Sequence, residues 1–199
     1  MTHILFIPGV GGAAAFWHPL GALLPQGWRK TCLNWPGAGD EKHDPAIRSF
    51  DDYTAFAARH LDSQGSTVIA QSMGGVIGVR LALEHPERVT RLVLAATSGG
   101  LNIAVHSATD WRLGYRAEYP EAAEWIMAER PDHAAEIGRI KTPVLLLWGD
   151  ADPISPVAVG ERLRSLLPDA RLHVVAGGEH AFARDRASEI APLVAAHIG

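Results

Sequence analysis

Ser72 stands in the run Ala70-Gln71-Ser72-Met73-Gly74-Gly75, between the β-branched segment Ser66-Thr67-Val68-Ile69 and a helix-forming stretch that ends before His85-Pro86. A serine hydroxyl is a weak nucleophile at neutral pH. It becomes effective when a base takes its proton and hydrogen-bond donors surround the oxygen that gains charge. A strand, a sharp turn and a helix opening on small residues lift such a hydroxyl out of the backbone. The chemistry implied is nucleophilic attack, and that chemistry demands a base and an acid to orient it.

Of ten histidines, His180 is the candidate base. It follows a late apolar run in Gly177-Gly178-Glu179-His180-Ala181-Phe182, where two glycines permit a tight turn at a strand's carboxyl end. His85, beside Pro86 at a helix end, reads as structural. A histidine base works only when neutral, so the rate should fall at acid pH. The acid should also follow a strand, and Gly149-Asp150-Ala151-Asp152-Pro153-Ile154-Ser155-Pro156 offers two. Asp152 is the candidate for the orienting acid and Asp150 for a turn or capping role, although periodicity alone does not separate them. Two backbone amides are candidates for binding an oxyanion. Met73 follows the nucleophile at a helix start, and Val10 lies in the loop Pro8-Gly9-Val10-Gly11-Gly12 after the first strand. That loop lacks the spacing of a dinucleotide fingerprint and has no Lys-Ser/Thr after its glycines, which argues against a nucleotide phosphate.

These residues need a scaffold that brings strand ends together. Apolar runs at 3–7, 31–35, 67–70, 92–95, 144–148 and 172–175 alternate with helical patterns at 16–24, 52–61, 73–84, 157–167 and 187–198. Strands apolar throughout, alternating with helices, specify an α/β fold: a three-layer α/β/α sandwich around a mainly parallel sheet of about six strands. Residues 1–199 are read as a single domain. The segment at about 98–139 breaks the alternation, carries Trp111, Tyr115, Tyr119 and Trp125, and contains one expected helix at 121–130 between two prolines. Its place after a strand's carboxyl end makes it a small lid over a pocket. Arg112, Arg116 and Arg130 within it are read as surface charges beside Glu118, Glu121 and Glu129 rather than as substrate contacts.

A formal charge of -4 argues against nucleic acid or an anionic membrane as the main partner. The single cysteine, Cys32, excludes an internal disulfide and a cysteine-based zinc site, and no metal or other cofactor is expected. The amino-terminal apolar run is too short for a signal peptide or membrane span, which suggests a cytoplasmic protein.

Taken together, the chain resembles an α/β-hydrolase-fold serine hydrolase over nearly its whole length. Ser72-Met73-Gly74-Gly75 matches the nucleophile elbow. Gly149, Asp152 and Pro156 resemble the loop of the triad acid, which moves the choice to Asp152, and Gly178 with His180 resembles the histidine loop. Trp35-Pro36-Gly37-Ala38-Gly39-Asp40 and Glu84-His85-Pro86-Glu87-Arg88-Val89 are similar to the family's turn after the second strand and its link after the elbow helix. The order Ser, Asp, His is also the family's. Two departures stand out: Ala70 replaces the first glycine of Gly-x-Ser-x-Gly, and Pro8 replaces the usual histidine before Gly9. The resemblance implies hydrolysis of a small carboxylic ester or thioester by Ser72, His180 and Asp152, with the Val10 and Met73 amides as oxyanion hole and no cofactor. Lactonase, carbon–carbon hydrolase and perhydrolase chemistry share the same triad, and a non-catalytic binding protein could keep the same fold. The carboxylate-nucleophile enzymes of this fold are excluded by the serine at the elbow.

Overall fold

Apolar runs with side chains on both sides of the backbone can bury only in the middle of a sandwich. In the computed structural model, which describes residues 1–106 and 108–199, they do so. The strands β1 (His3–Ile7), β2 (Arg29–Cys32), β3 (Ser66–Gln71), β4 (Val89–Ala95), β5 (Val144–Gly149) and β6 (Ala170–Val175) form one sheet in the order β2-β1-β3-β4-β5-β6. Every pairing is parallel. Successive side chains point to opposite faces. Ile4, Phe6, Ile69, Val93 and Leu145 therefore join one apolar cluster, while Leu5, Ile7, Val68, Leu92 and Leu146 join the other. Helices α1 (His18–Leu23), α7 (Phe182–Asp185) and α8 (Ala187–Ile198) cover the first face. Helices α2 (Phe50–Ala58), α3 (Met73–Glu84) and α6 (Val157–Leu166) cover the second. Between β4 and β5 runs an excursion carrying α4 (Arg112–Glu118) and α5 (Glu124–Ala128). Among the described residues no helix is long and apolar enough to cross a membrane.

The strand order matters for the site. From β1 the chain goes to one side, to β2, and then returns to the other side of β1 with β3. The carboxyl ends of β1 and β3, which carry Pro8-Gly9 and Ser72, thus flank the point where the winding reverses and a crevice opens.

Several elements differ from the pattern read in the sequence: helix α7 has no counterpart there, and α2 starts and ends earlier than expected. The second strand occupies Arg29–Cys32 rather than 31–35. After Leu33, whose N–H still donates to Phe6 O, the chain turns toward the loop after β1, and Trp35 N–H donates to Gly12 O instead. The helix expected at 121–130 shrinks to Glu124–Ala128, bounded by the non-helical backbone of Ala123 (φ -58, ψ 129) and Glu129 (φ -72, ψ 147). Helix α4 had no counterpart in the pattern; its only buried side chain is Tyr115, too few for a periodic signal.

Ala70, the departure from the usual glycine, is accommodated one layer away. A β-carbon built on Gly78, in the middle of α3, would lie 3.1 Å from that of Ala70. The glycine missing from the strand has its counterpart in the helix packed on it, so helix and strand keep their close approach.

His3 sits at the opposite edge of the sheet, with Nδ1 2.8 Å from Ser66 Oγ and Nε2 3.0 Å from Thr31 Oγ1, tying β1 to both neighbours. Burial, and secondarily the Arg29 charge, lowers its pKa. Burial likewise lowers those of His133 and His197, each with a buried, unpartnered Nε2. Their neutral forms are the folded forms. The stability they contribute is complete above the ordinary histidine value of 6.5 and is lost as pH falls below it toward the depressed folded values.

Two measurements check these points. The thermal midpoint should fall between about pH 7.5 and about pH 5.5, with a shallower slope in His3→Gln; a flat midpoint would contradict the role of the buried histidines. In urea unfolding, Gly78→Ala should destabilise by about 1 kcal/mol or more. In an Ala70→Gly background the same change should be neutral or stabilising, a coupling of roughly 1 kcal/mol.

Candidate active site

The backbone at Ser72 takes φ 53 and ψ -124, a conformation that non-glycine residues rarely adopt. Surrounding contacts hold it there. Its N–H donates to Ala95 O at 3.0 Å, and its carbonyl accepts from Gly75 N at 2.9 Å and from Thr97 Oγ1 at 2.6 Å. Space is as tight as the bonding. A β-carbon on Gly74 would lie 2.3 Å from Pro8 O, and one on Gly75 would lie 2.4 Å from Thr97 Oγ1. The two glycines after the serine therefore let α3 start against the end of β1 and against Thr97.

His180 and Asp152 meet this serine from two other loops. His180 Nε2 lies 3.0 Å from Ser72 Oγ, and His180 Nδ1 lies 2.7 Å from Asp152 Oδ2. The Asp152 side chain is fully buried. Its second oxygen accepts the N–H groups of Ile154 at 2.8 Å and Ser155 at 3.1 Å, so no acceptor is left bare. Asp150 points elsewhere, accepting the Gly177 N–H on Oδ1 at 2.5 Å. The two aspartates thus divide: one faces the imidazole, the other ties down the loop that carries it. Those loops are fitted backbone to backbone, since Ala151 N–H donates to Gly178 O at 3.0 Å and a β-carbon on Gly149 would lie 2.0 Å from that same oxygen.

The loop after β1 is anchored by two tryptophans. Trp17 Nε1 donates to Ile7 O and Trp35 Nε1 donates to Pro8 O, each at 2.9 Å. Gly12 N–H closes a turn onto Gly9 O around Val10. A β-carbon on Gly9 would come within 3.1 Å of Ser72 Cβ, which places this loop directly beside the serine. Met73 lines the pocket at the first position of α3, where helix geometry leaves the amide without an intrahelical acceptor. Val10 is not among the pocket's lining residues and packs partly buried on the core.

Gln71 was not singled out by its sequence position, yet it joins three parts of the site. It is 4% exposed, and its Nε2 donates to the His180 carbonyl at 3.2 Å. Its Oε1 occupies the space a Gly9 β-carbon would take. The sequence signal is a polar residue directly after the apolar run Val68-Ile69-Ala70 and before the candidate nucleophile.

Ser72 and His180 open into a pocket of about 560 Å³, a size suited to a small organic molecule. Met73, Val76 and Ala96 form its floor side, and Leu101, Ile103 and Trp111 of the excursion form the facing wall. The excursion is tethered on several sides. Tyr115 Oη accepts the Gly39 N–H at 2.8 Å, His43 Nε2 donates to Glu121 O at 2.7 Å, and Thr109 N–H donates to Pro153 O at 2.8 Å. The arginines do not pair as the sequence suggested. Arg116 reaches Glu124 at 3.9 Å, while Arg112 and Arg130 line the pocket and Glu129 accepts the Phe50 N–H at the start of α2. A second, polar cleft of about 570 Å³ lies behind Phe50, with Arg80 bonded to Asp51 and Glu84, and Arg139 bonded to Glu136.

Comparison with known proteins identifies the fold. The profile of the alpha/beta hydrolase fold family matches residues 2–130 and 129–186. A putative carbamate hydrolase, RutD, from Escherichia coli strain K12 is 23% identical, over 89% of this chain and 84% of that protein. A hydrolase from Pseudomonas aeruginosa superposes with a TM-score of 0.82 at 20% identity, covering 100% of this chain and 90% of the other. A meta-cleavage product hydrolase from Pseudomonas fluorescens superposes with a TM-score of 0.79 at 20% identity, covering 99% and 90%. With its parallel sheet, its reversal of winding at β1 and β3, and a profile match over most of its length, this chain belongs to the alpha/beta hydrolase fold family.

Proposed function

We propose that this hydrolase-fold protein is a serine hydrolase that cleaves a small carboxylic ester or thioester through an acyl-enzyme on Ser72. The observation that carries the reading is the unbroken relay Ser72 Oγ–His180–Asp152, at 3.0 and 2.7 Å, with the serine at the mouth of a pocket. His180 Nε2 takes the hydroxyl proton as Oγ attacks the carbonyl carbon, and Asp152 holds the imidazole and stabilises its charged form. The oxygen that gains charge is met by the Met73 amide, at the positive end of α3, and by the Val10 amide; each such donor contributes roughly 3 kcal/mol. As the intermediate collapses, the imidazolium gives its proton to the departing alkoxide or thiolate. Water, deprotonated by the same histidine, then adds to the acyl-enzyme and regenerates Ser72. The excursion between β4 and β5 acts as a short lid that lines one side of the pocket and leaves it open to solvent. The name of the RutD relative extends the acyl class to carbamates, whose carbonyl presents the same electrophile.

Ser72→Ala and His180→Ala should each lower kcat on a p-nitrophenyl acyl ester by at least about 1,000-fold, and the double variant should be no worse than Ser72→Ala alone. Asp152→Asn should lose roughly 1,000-fold or more with KM little changed. A fluorophosphonate probe should label Ser72. Undiminished turnover by a well-folded Ser72→Ala protein would overturn the assignment, and a folded wild type that neither labels nor turns over esters would favour a binding role.

A further inference from the structure

Two guanidinium groups stand in the wall of the Ser72 pocket with no part in the acyl transfer. Arg112 is the first residue of α4 and Arg130 lies just beyond α5, yet both converge on one backbone oxygen. Arg112 Nε donates to Met127 O at 3.3 Å, and Arg130 Nη1 donates to the same carbonyl. Arg130 also donates to Glu129 O at 2.9 Å. Two cations held at a single carbonyl repel each other, and burial together with the Arg112 charge lowers the Arg130 pKa.

The carboxylates of the same wall offset this repulsion only in part: Asp110 forms an ion pair with Arg112 at 3.1 Å, and its charge opposes the shift at Arg130. Asp110 Oδ1 is shared between the Arg112 amide at 3.0 Å and Arg112 Nη1 at 3.1 Å. Glu129 Oε2 accepts the Phe50 N–H at 2.9 Å, and Asp132 Oδ1 accepts the Ala134 N–H at 2.9 Å. Among the described residues Arg130 forms no ion pair with a carboxylate. The Arg112 guanidinium carbon lies over Trp111, 4.7 Å from the ring centroid, a cation–π contact that restrains the group. Planar, pre-oriented guanidinium donors are the chemistry that reads a carboxylate.

We infer that Arg112 and Arg130 form an anion subsite of the pocket and that the preferred substrate carries a carboxylate remote from the scissile carbonyl. The inference rests on the acyl-transfer reading of Ser72 and names the substrate class for it. The carboxylate can sit on the acyl or the alcohol side, and the test separates the two.

Two ester series, each over a range of chain lengths, supply the test. One pairs ω-carboxyacyl p-nitrophenyl esters with uncharged acyl esters of the same length; the other pairs esters of hydroxy acids with esters of the corresponding neutral alcohols. In at least one series the wild type should favour the carboxylate member by about tenfold or more in kcat/KM. Added salt should shrink that ratio. Arg130→Gln and Arg112→Gln, with thermal midpoints verified, should each reduce it by about tenfold, while Arg130→Lys retains more of it than Arg130→Gln. No preference in either series, or a preference kept in both glutamine variants, overturns the subsite. Calorimetry on Ser72→Ala keeps this separate from the catalytic reading. Tighter binding of the carboxylate ester than of its neutral partner, alongside a wild type without turnover, upholds the subsite and overturns the acyl-enzyme. Turnover without preference does the reverse.

Discussion

A single strained turn organises the carboxyl edge of this sheet. Holding Ser72 at a positive φ costs on the order of 1–3 kcal/mol, and the conformation persists because its neighbours leave it no alternative. Its amide is bonded to the end of β4, its carbonyl to Gly75 and Thr97, and the helix after it begins where only glycines fit against Pro8 and Thr97. Other parts of the site are set relative to that point. The loop after β1 lies beside the serine because Gly74 lets α3 approach it. The imidazole reaches the hydroxyl because the histidine loop rests on Gln71, the residue before the turn.

The polar side chains beside the serine are bonded to one another and to backbone groups, which holds the arrangement in place. Asp152 is wholly buried and is met by two backbone amides as well as the imidazole. In the loop after β1, where Pro8 stands, two indole N–H groups fix the carbonyls of Ile7 and Pro8, one before and one after the proline ring. In a site that must develop and dissipate charge, such fixed dipoles supply stabilisation without reorganising.

Much of this was legible in the chain itself, for definite reasons. Central strands such as β3 and β5 are buried on both faces, so their apolar runs are continuous, and helices packed on one face show the complementary period. The edge strand β2 was displaced in the reading because its end is decided by bonds from Leu33 and Trp35 to the loop after β1. The helices of the excursion are poorly legible because they are short, so the side chains they send into the core, such as Tyr115, Trp125 and Ile126, form no sustained helical period. Asp150 and Asp152 are two residues apart and chemically identical, so only the direction of each side chain tells them apart. The accommodation of Ala70 by Gly78 joins a strand to its covering helix, and no local pattern reports it.

The contact of Gly149 with Gly178 has a mechanical meaning. With no room for a methyl group between them, the loops of the aspartate and the histidine cannot slide past one another and move as one block. Backbone movement of the serine turn relative to that block is resisted by the hydrogen-bonded ladder running from β3 through β4 to β5. In the proposed acyl transfer, the backbone spacing between serine and imidazole is thus steadied by three central strands, while the excursion above them borders only the pocket.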